Sequence, residues 1–159
     1  MRLSLQMERT AMESKIFRDI RVCGEHFPDW KAVVDYVGET FVAKGYAKRE
    51  YFEYIKKDMV ENEAYMVIVP HFALLHSAPE HGALENVFHF MKLEHPVEFG
   101  HESNDPVAYV ITFTSVDADS HIAGISLLAG MLMKEGFVEE LSRAGSDESL
   151  AACIRKYEE

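Results

Sequence analysis

Cysteine is scarce: Cys23 and Cys153 are the only two in 159 residues, and they lie near opposite ends of the chain with no C-x-x-C. This excludes a disulfide-stapled scaffold, and in a reducing compartment both residues are expected as thiols. Long hydrophobic runs are lacking too. The apolar stretches at 66–70 and 107–113 fall far short of the roughly 20 residues a membrane helix needs. The N-terminus carries Arg2 but no apolar segment of signal-peptide length, so no export is expected and a cytoplasmic location is. Basic residues are in deficit, 16 Lys and Arg against 27 Asp and Glu, for a formal charge of −11. A surface with that field repels a phosphate backbone, which excludes nucleic acid as a partner. There is no internal repeat and no low-complexity linker.

What is present suffices for a core. Hydrophobic residues make up 48% and charged residues 27% of the chain, and the length matches one domain on a scale of roughly 100–200 residues each. Residues 1–14 lack a period and are expected to form a poorly ordered leader, with one domain over 15–159. The segment 15–23 alternates loosely enough for an edge strand. From Pro28 the residues Trp30, Val33, Val34, Val37, Phe41 and Val42 recur at helical spacing, with Pro28 near the first turn and Gly45 after the last. Tyr51, Ile55 and Met59 step by four and predict a helix over 48–62. The period then changes: 65–69, 87–93 and 107–113 read as strands buried on both faces, with Phe72 to Gly82 as a loop after the first. Ile122, Ile125, Leu128, Met131 and Leu132 predict a helix beginning near His121, with Asp117, Asp119 and Ser120 as candidate caps. A short helix follows Gly136, and Ser146 caps a terminal helix through Leu150, Cys153, Ile154 and Tyr157. The expected fold is α/β, a single sandwich with a mixed sheet flanked by helices on both faces.

Eight histidines, at 26, 71, 76, 81, 89, 95, 101 and 121, are the oddity of the composition. His71, His76 and His81 with Glu80 step by five, a spacing that suits neither one helix face nor a zinc-finger pair, so no metal is expected. No G-x-S-x-G, P-loop or G-x-G-x-x-G occurs, which removes support for a serine hydrolase or a nucleotide enzyme. Histidine as its own nucleophile is the third possibility. A neutral imidazole nitrogen can take up a phosphoryl group when its other nitrogen is held in one tautomer, with donors nearby for the phosphoryl oxygens. His76, in the loop after the first buried strand, and His121, where a helix begins, are both placed for this. At a helix N-terminus the macrodipole disfavours imidazolium, so His121 is expected as a neutral donor, with backbone N–H groups that favour an anion.

The segment Ala73 to Gly82, A-L-L-H-S-A-P-E-H-G, resembles the A-[ML]-P-H-[GA]-R-P-E-x-G loop of enzyme IIA domains of the mannitol/fructose type in the bacterial phosphotransferase system, especially the ascorbate-like branch. Pro96-Val-Glu-Phe99 followed by Asn104-Asp-Pro-Val107 resembles that branch's P-[LV]-x-F and N-D-P-V. Val116-Asp-Ala-Asp-Ser-His121 resembles its V-D-A-x-x-H. The resemblance covers about residues 15–157. It implies a cytoplasmic phosphoryl relay without metal, nucleotide or other cofactor. The carrier protein HPr donates to a histidine of IIA, which passes the group to a cognate IIB and thence to sugar entering through a IIC permease. His76 matches the phosphorylated histidine and His121 the second histidine beside it. Pro70-His71 reproduces the P-H dipeptide, but from His71 the downstream spacings are five residues too long, which leaves His71 as a loop histidine with its ring hydrogen-bonded.

The chain departs from the pattern at Leu75, Ser77 and Ala78, which replace the usual proline, small residue and arginine. The arginine is a candidate phosphate clamp, and Ser77 offers a hydroxyl and a backbone N–H in its place. Glu80 is, with Ser77, a candidate residue of the phosphate site, placed to orient an imidazole or to face solvent, and Asp117 is placed to hold its loop by an Asx-type bond. His81, His89, His95 and His101 read as surface or core-filling residues. An acidic domain suits a basic carrier partner. An alternative of another class is a regulatory IIA-like module that signals by phosphorylation state without a transport role.

Overall fold

The computed structural model describes residues 14–158. Of the expected leader, residues 1–13 lie outside the described residues. Strand β1 (Asp19–Cys23) leads to helices α1 (Trp30–Ala43) and α2 (Arg49–Glu61). Strands β2 (Val67–Val69) and β3 (Phe72–Leu75) follow, then a 3-10 turn at Pro79–His81 and strands β4 (Val87–Val97) and β5 (Val107–Thr114). Helices α3 (Ala118–Leu132), α4 (Phe137–Arg143) and α5 (Asp147–Tyr157) complete the chain. The sheet order is β1-β4-β5-β3-β2. β1 and β4 pair parallel, as do β3 and β5, while β4–β5 and β2–β3 are antiparallel. This is the mixed, doubly covered α/β sandwich expected, with β1 at an edge.

Period-two alternation sorts the strand residues to the two faces. Ala73, Leu75, Met91, Leu93 and Val110 pack with Val33, Val37 and Phe41 of α1 and Tyr51, Ile55 and Met59 of α2. Phe72, Leu74, Phe90, Ile111 and Phe113 pack with Leu128, Met131, Phe137, Leu141, Leu150 and Ile154 of α3 to α5. Cys23 belongs to the first core and Cys153 to the second; both are free and buried, and the sheet lies between them. Among the described residues no single helix is long and apolar enough to cross a membrane.

Local chemistry sets the helix ends. The Asp29 carboxylate accepts from Ala32 N–H and starts α1, which puts Pro28 just before the cap, near the first turn. Ser146 and Ser149 form a reciprocal capping box on α5. Lys92 of β4 donates to the carbonyls of Leu141, Ser142 and Ala144 and closes α4 from the sheet face beneath it.

One element differs from expectation. Phe72 to Leu75, expected as loop, is the strand β3, inserted between β2 and β5. All four of its residues are buried, so it carries no alternation to mark it, and at four residues it is too short for a composition signal. Strand β4 also runs four residues past its expected end, with a register shift between Lys92 and Val97 where it rejoins β5.

His89 faces α1 from the sheet centre. It is 1% exposed, meets Phe41 edge-on, and stands opposite Thr112 of β5. Among the described residues its two ring nitrogens and the Thr112 hydroxyl find no hydrogen-bond partner. Burial pushes the His89 pKa down to about 4; nearby Asp19 opposes the shift, while Arg21 and Lys44 add to it. An unfolded imidazole titrates near 6.5, so below that pH the unfolded chain binds more protons than the folded one. Stability fully present above pH ~6.5 is then lost as pH falls toward 4, by up to ~3 kcal/mol from this residue. Urea midpoints measured from pH 7 to 4 should fall less steeply in His89→Phe than in the wild type; parallel curves would show that His89 is not the responsible group.

Candidate functional site

Strands β3 and β5 run parallel, and their carboxyl ends open at the same edge of the sheet. Open α/β sheets place their ligands in this position. β3 ends at Leu75, and the next two residues, His76 and Ser77, are governed by the hydroxyl of Tyr51 on α2. Leu75 pairs with Thr112, so a further rung would join Ser77 N–H to the Phe113 carbonyl. The buried Tyr51 hydroxyl stands between them instead, accepting from Ser77 N–H at 2.9 Å and donating to the Phe113 carbonyl at 2.9 Å. Burial pushes the Tyr51 phenol upward, so it stays a neutral hydroxyl able to do both. The ladder ends here and the chain is free to turn.

His76 keeps the face of Phe72 and Leu74, toward α3. Its ring stacks on Phe113 at 5.2 Å and 14°, and Phe113 stacks on Phe88 at 5.2 Å and 17°. Beneath them Gly124 of α3 is required, because a Cβ there would stand 2.6 Å from the Phe88 ring. Tyr65 meets the His76 ring edge-on at 6.3 Å. The His76 Nδ1 lies 3.0 Å from the Leu74 carbonyl, which can only accept, so Nδ1 carries the hydrogen and Nε2 keeps its lone pair. Burial first, and His121 further, lower the His76 pKa, against the raising effects of the Leu74 carbonyl and Asp58. The ring is therefore neutral at neutral pH, with one nitrogen committed and the other nucleophilic.

His121 is the fourth residue of α3, and its ring centroid lies 5.5 Å from that of His76 and 5.3 Å from that of Phe113. Its Nδ1 meets the buried Ser115 hydroxyl at 3.3 Å. The helix terminus is less open to an anion than its position implies. Asp117 is the N-cap: its carboxylate takes Ser120 N–H and its carbonyl takes His121 N–H. The Asx-type bond expected of Asp117 is thus present, and the Ser120 N–H lowers its carboxyl pKa.

Ser77 is arranged differently from expectation, and Glu80 takes the solvent-facing one of its two expected placements. The N–H of Ser77 is given to Tyr51, and its hydroxyl lies 2.7 Å from Nδ1 of His81, with the residue 4% exposed. Glu80 sits exposed in the turn Pro79–His81. His71 closes the β2–β3 hairpin in the left-handed region, φ 74°, at the far end of β3 from His76, and its ring bonds the Pro106 carbonyl at 2.8 Å. Asp105 of the N-D-P-V motif collects the N–H groups of Phe99, Gly100 and His101, so this motif shapes the β4–β5 loop. Lys56 pairs with Asp35 and Glu53 along α1 and α2. Tyr51, Tyr65, Phe113 and Ser115 also escape the sequence reading as site residues: apolar spacing explains Tyr51 in α2 and Phe113 in β5 without a further role, and Tyr65 and Ser115 lie just outside the regular elements with no motif to mark them. Among the described residues no group of three metal-ligating side chains is arranged to hold an ion.

Replacing Tyr51 by Phe leaves Ser77 N–H and the Phe113 carbonyl buried without this partner, which should cost ~1–3 kcal/mol in urea unfolding. An unchanged midpoint would show that the hydroxyl bridge contributes nothing to the fold.

Comparison with known proteins follows the same outline. The chain matches the family model described as phosphoenolpyruvate-dependent sugar phosphotransferase system, EIIA 2, over residues 17–157. It is 32% identical over 128 residues to the mannitol-specific cryptic phosphotransferase enzyme IIA component of Escherichia coli K12, a match spanning 80% of this chain and 86% of that protein. It is 34% identical over 126 residues to the ascorbate-specific PTS system EIIA component of Shigella boydii, spanning 79% and 82%. The solution structure of the E. coli mannitol-specific cryptic enzyme IIA aligns with a TM-score of 0.78 at 30% identity, over 88% of this chain and 95% of that one. With His76 on the strand end that its motif identifies and the family model spanning nearly the whole described chain, this protein belongs to the type-2 enzyme IIA family of the phosphoenolpyruvate-dependent sugar phosphotransferase system.

Proposed function

We propose that this chain is a cytoplasmic phosphocarrier that accepts a phosphoryl group from phospho-HPr on Nε2 of His76 and passes it to a cognate IIB, ahead of a IIC permease. The observation that carries this reading is the Nδ1–H of His76 donated to the Leu74 carbonyl. It commits the ring to the tautomer whose Nε2 lone pair attacks phosphorus. The transfer balances without a cofactor: the P–N bond to the carrier's imidazole breaks as the bond to His76 Nε2 forms, and the proton on Nδ1 stays in place. Such a reaction asks for positioning and charge stabilisation and little else. The stack on Phe113 and Phe88 supplies the first.

His121 supplies the second. In the tautomer whose Nδ1 accepts from the Ser115 hydroxyl, its Nε2–H is the donor available to phosphoryl oxygens on the neighbouring ring. The half-buried setting disfavours charge on His76 before transfer and strengthens each donor afterwards. The formal charge of −11 favours a basic carrier, with association that is steered by charge and weakened by salt. An ascorbate-like carbohydrate is the sugar class we propose, on the motif resemblance and the 34% identity to an ascorbate-specific component.

Incubation with phosphoenolpyruvate, enzyme I and HPr should place one acid-labile phosphate on the wild type and none on His76→Ala. Transfer should slow roughly 100-fold in His121→Ala and stay unchanged in His71→Ala. No phosphate on the wild type, with enzyme I and HPr of the same organism shown to be active, would refute the relay and favour a regulatory module; loss in His71→Ala alone would refute the assignment to His76.

A further inference from the structure

The turn after His76 contains an interaction that the family motif does not foresee. Where that motif has a small residue and an arginine, this chain has Ser77 and Ala78, and at the motif's variable position it has His81. The Ser77 hydroxyl and His81 Nδ1 are 2.7 Å apart. The other side of the His81 ring lies flat on Tyr54 of α2, at 3.7 Å and 9°. Tyr54 is one turn along the same helix from Tyr51, the residue that takes Ser77 N–H. Ser77 is thus held at its backbone directly by α2 and at its hydroxyl by α2 through His81. The turn is further closed by His81 N–H on the Ala78 carbonyl at 3.0 Å and by Lys48 N–H on the Gly82 carbonyl at 2.8 Å.

Ser77 follows His76 directly, so its rotation sets the peptide plane from which the His76 ring projects. An arginine at position 78 would make the turn part of the phosphate clamp. With alanine there, the turn has no long cation, and two of its polar side chains, Ser77 and His81, are spent on each other while Glu80 stays exposed. Ser77 is almost fully buried, which suits an internal tie better than an open donor. We infer that His81 is a positioning residue for phosphoryl transfer at His76, acting through its hydrogen bond to the Ser77 hydroxyl while Tyr54 holds its ring. This rests on the reading of His76 as the phosphoryl acceptor. His81 does not touch the phosphoryl group; it keeps His76 in the orientation that gives Nδ1–H to the Leu74 carbonyl and presents Nε2.

Two substitutions separate the polar link from the ring contact. His81→Phe keeps an aromatic face on Tyr54 and loses the atom facing Ser77, whereas His81→Asn keeps a polar atom near the Nδ1 position and loses the stack. Transfer from phospho-HPr should slow about tenfold in His81→Phe and in Ser77→Ala, in kcat with KM for HPr unchanged, since a small misplacement of reacting groups is felt in the rate. The double variant should be no slower than either single one, because both remove the same bond. His81→Asn should stay within about twofold of the wild type. In the unphosphorylated protein, the 15N signals of His76 should show a protonated Nδ1 in the wild type and in His81→Asn, and a mixture of tautomers in His81→Phe and Ser77→Ala.

Wild-type rates and unchanged His76 signals in both His81→Phe and Ser77→Ala would overturn the inference. Loss in His81→Asn with none in His81→Phe would also overturn it, assigning His81 a packing role alone. The nitrogen signals are read without phosphorylation, so a wild type that accepts no phosphate would refute the phosphocarrier reading and leave the positioning role to be decided by the spectra. Should His81→Phe fail to fold, Ser77→Ala carries the same comparison.

Discussion

The candidate site depends on one buried hydroxyl. Tyr51 stands in the gap where the β3–β5 ladder would have its next rung, and satisfies the donor of one strand and the acceptor of the other. Without such a bridge, two backbone groups would be stranded in the interior, at an energy comparable to a sizeable fraction of a domain's stability. With it, the strands part at no loss of hydrogen bonding. The chain leaves the sheet at Leu75 with its direction still defined by the sheet, and a histidine at that point is as rigid as a strand residue while opening toward solvent.

Everything around His76 follows from being at a rigid edge. The rings of Phe113 and Phe88 continue the sheet's hydrophobic face beneath the imidazole. Gly124 lets α3 approach closely enough to cover Phe88, and the same helix brings His121 beside His76. The result is an imidazole kept neutral by burial, with one nitrogen tied to its own strand and the other free. Charge is absent from the ring that the proposed transfer requires to be neutral.

Much of this was legible in the sequence. The helices at 30–43 and 49–61 follow apolar spacings of three and four, and the caps at Asp117 and Ser146 are of the residue types that cap. The strands at 87–97 and 107–114 show as dense apolar runs. Strand β3 was not legible, because four residues buried on both faces have neither alternation nor length. The link between Ser77 and His81 was hidden for a different reason: a spacing of four is helical by convention, and here it spans a single 3-10 turn whose start is set by Pro79. Ser77 and the backbone of α3 looked available to an anion as isolated motifs. In the folded chain Tyr51 takes Ser77 N–H, His81 ties up the Ser77 hydroxyl and Asp117 takes Ser120 N–H.

The sequence by itself determined the two-layer covering of the sheet and the family, because these rest on periodicity and on motif spacings counted along the chain. The tertiary structure alone decided which nitrogen of His76 is free, how β3 ends and what Ser77 holds. Those outcomes rest on contacts between Tyr51 and partners 26 and 62 residues away, and on rings stacked from separate strands. Hydrogen bonds and stacking act over a few ångströms of space, and chain spacing does not report which distant groups folding will bring within that range.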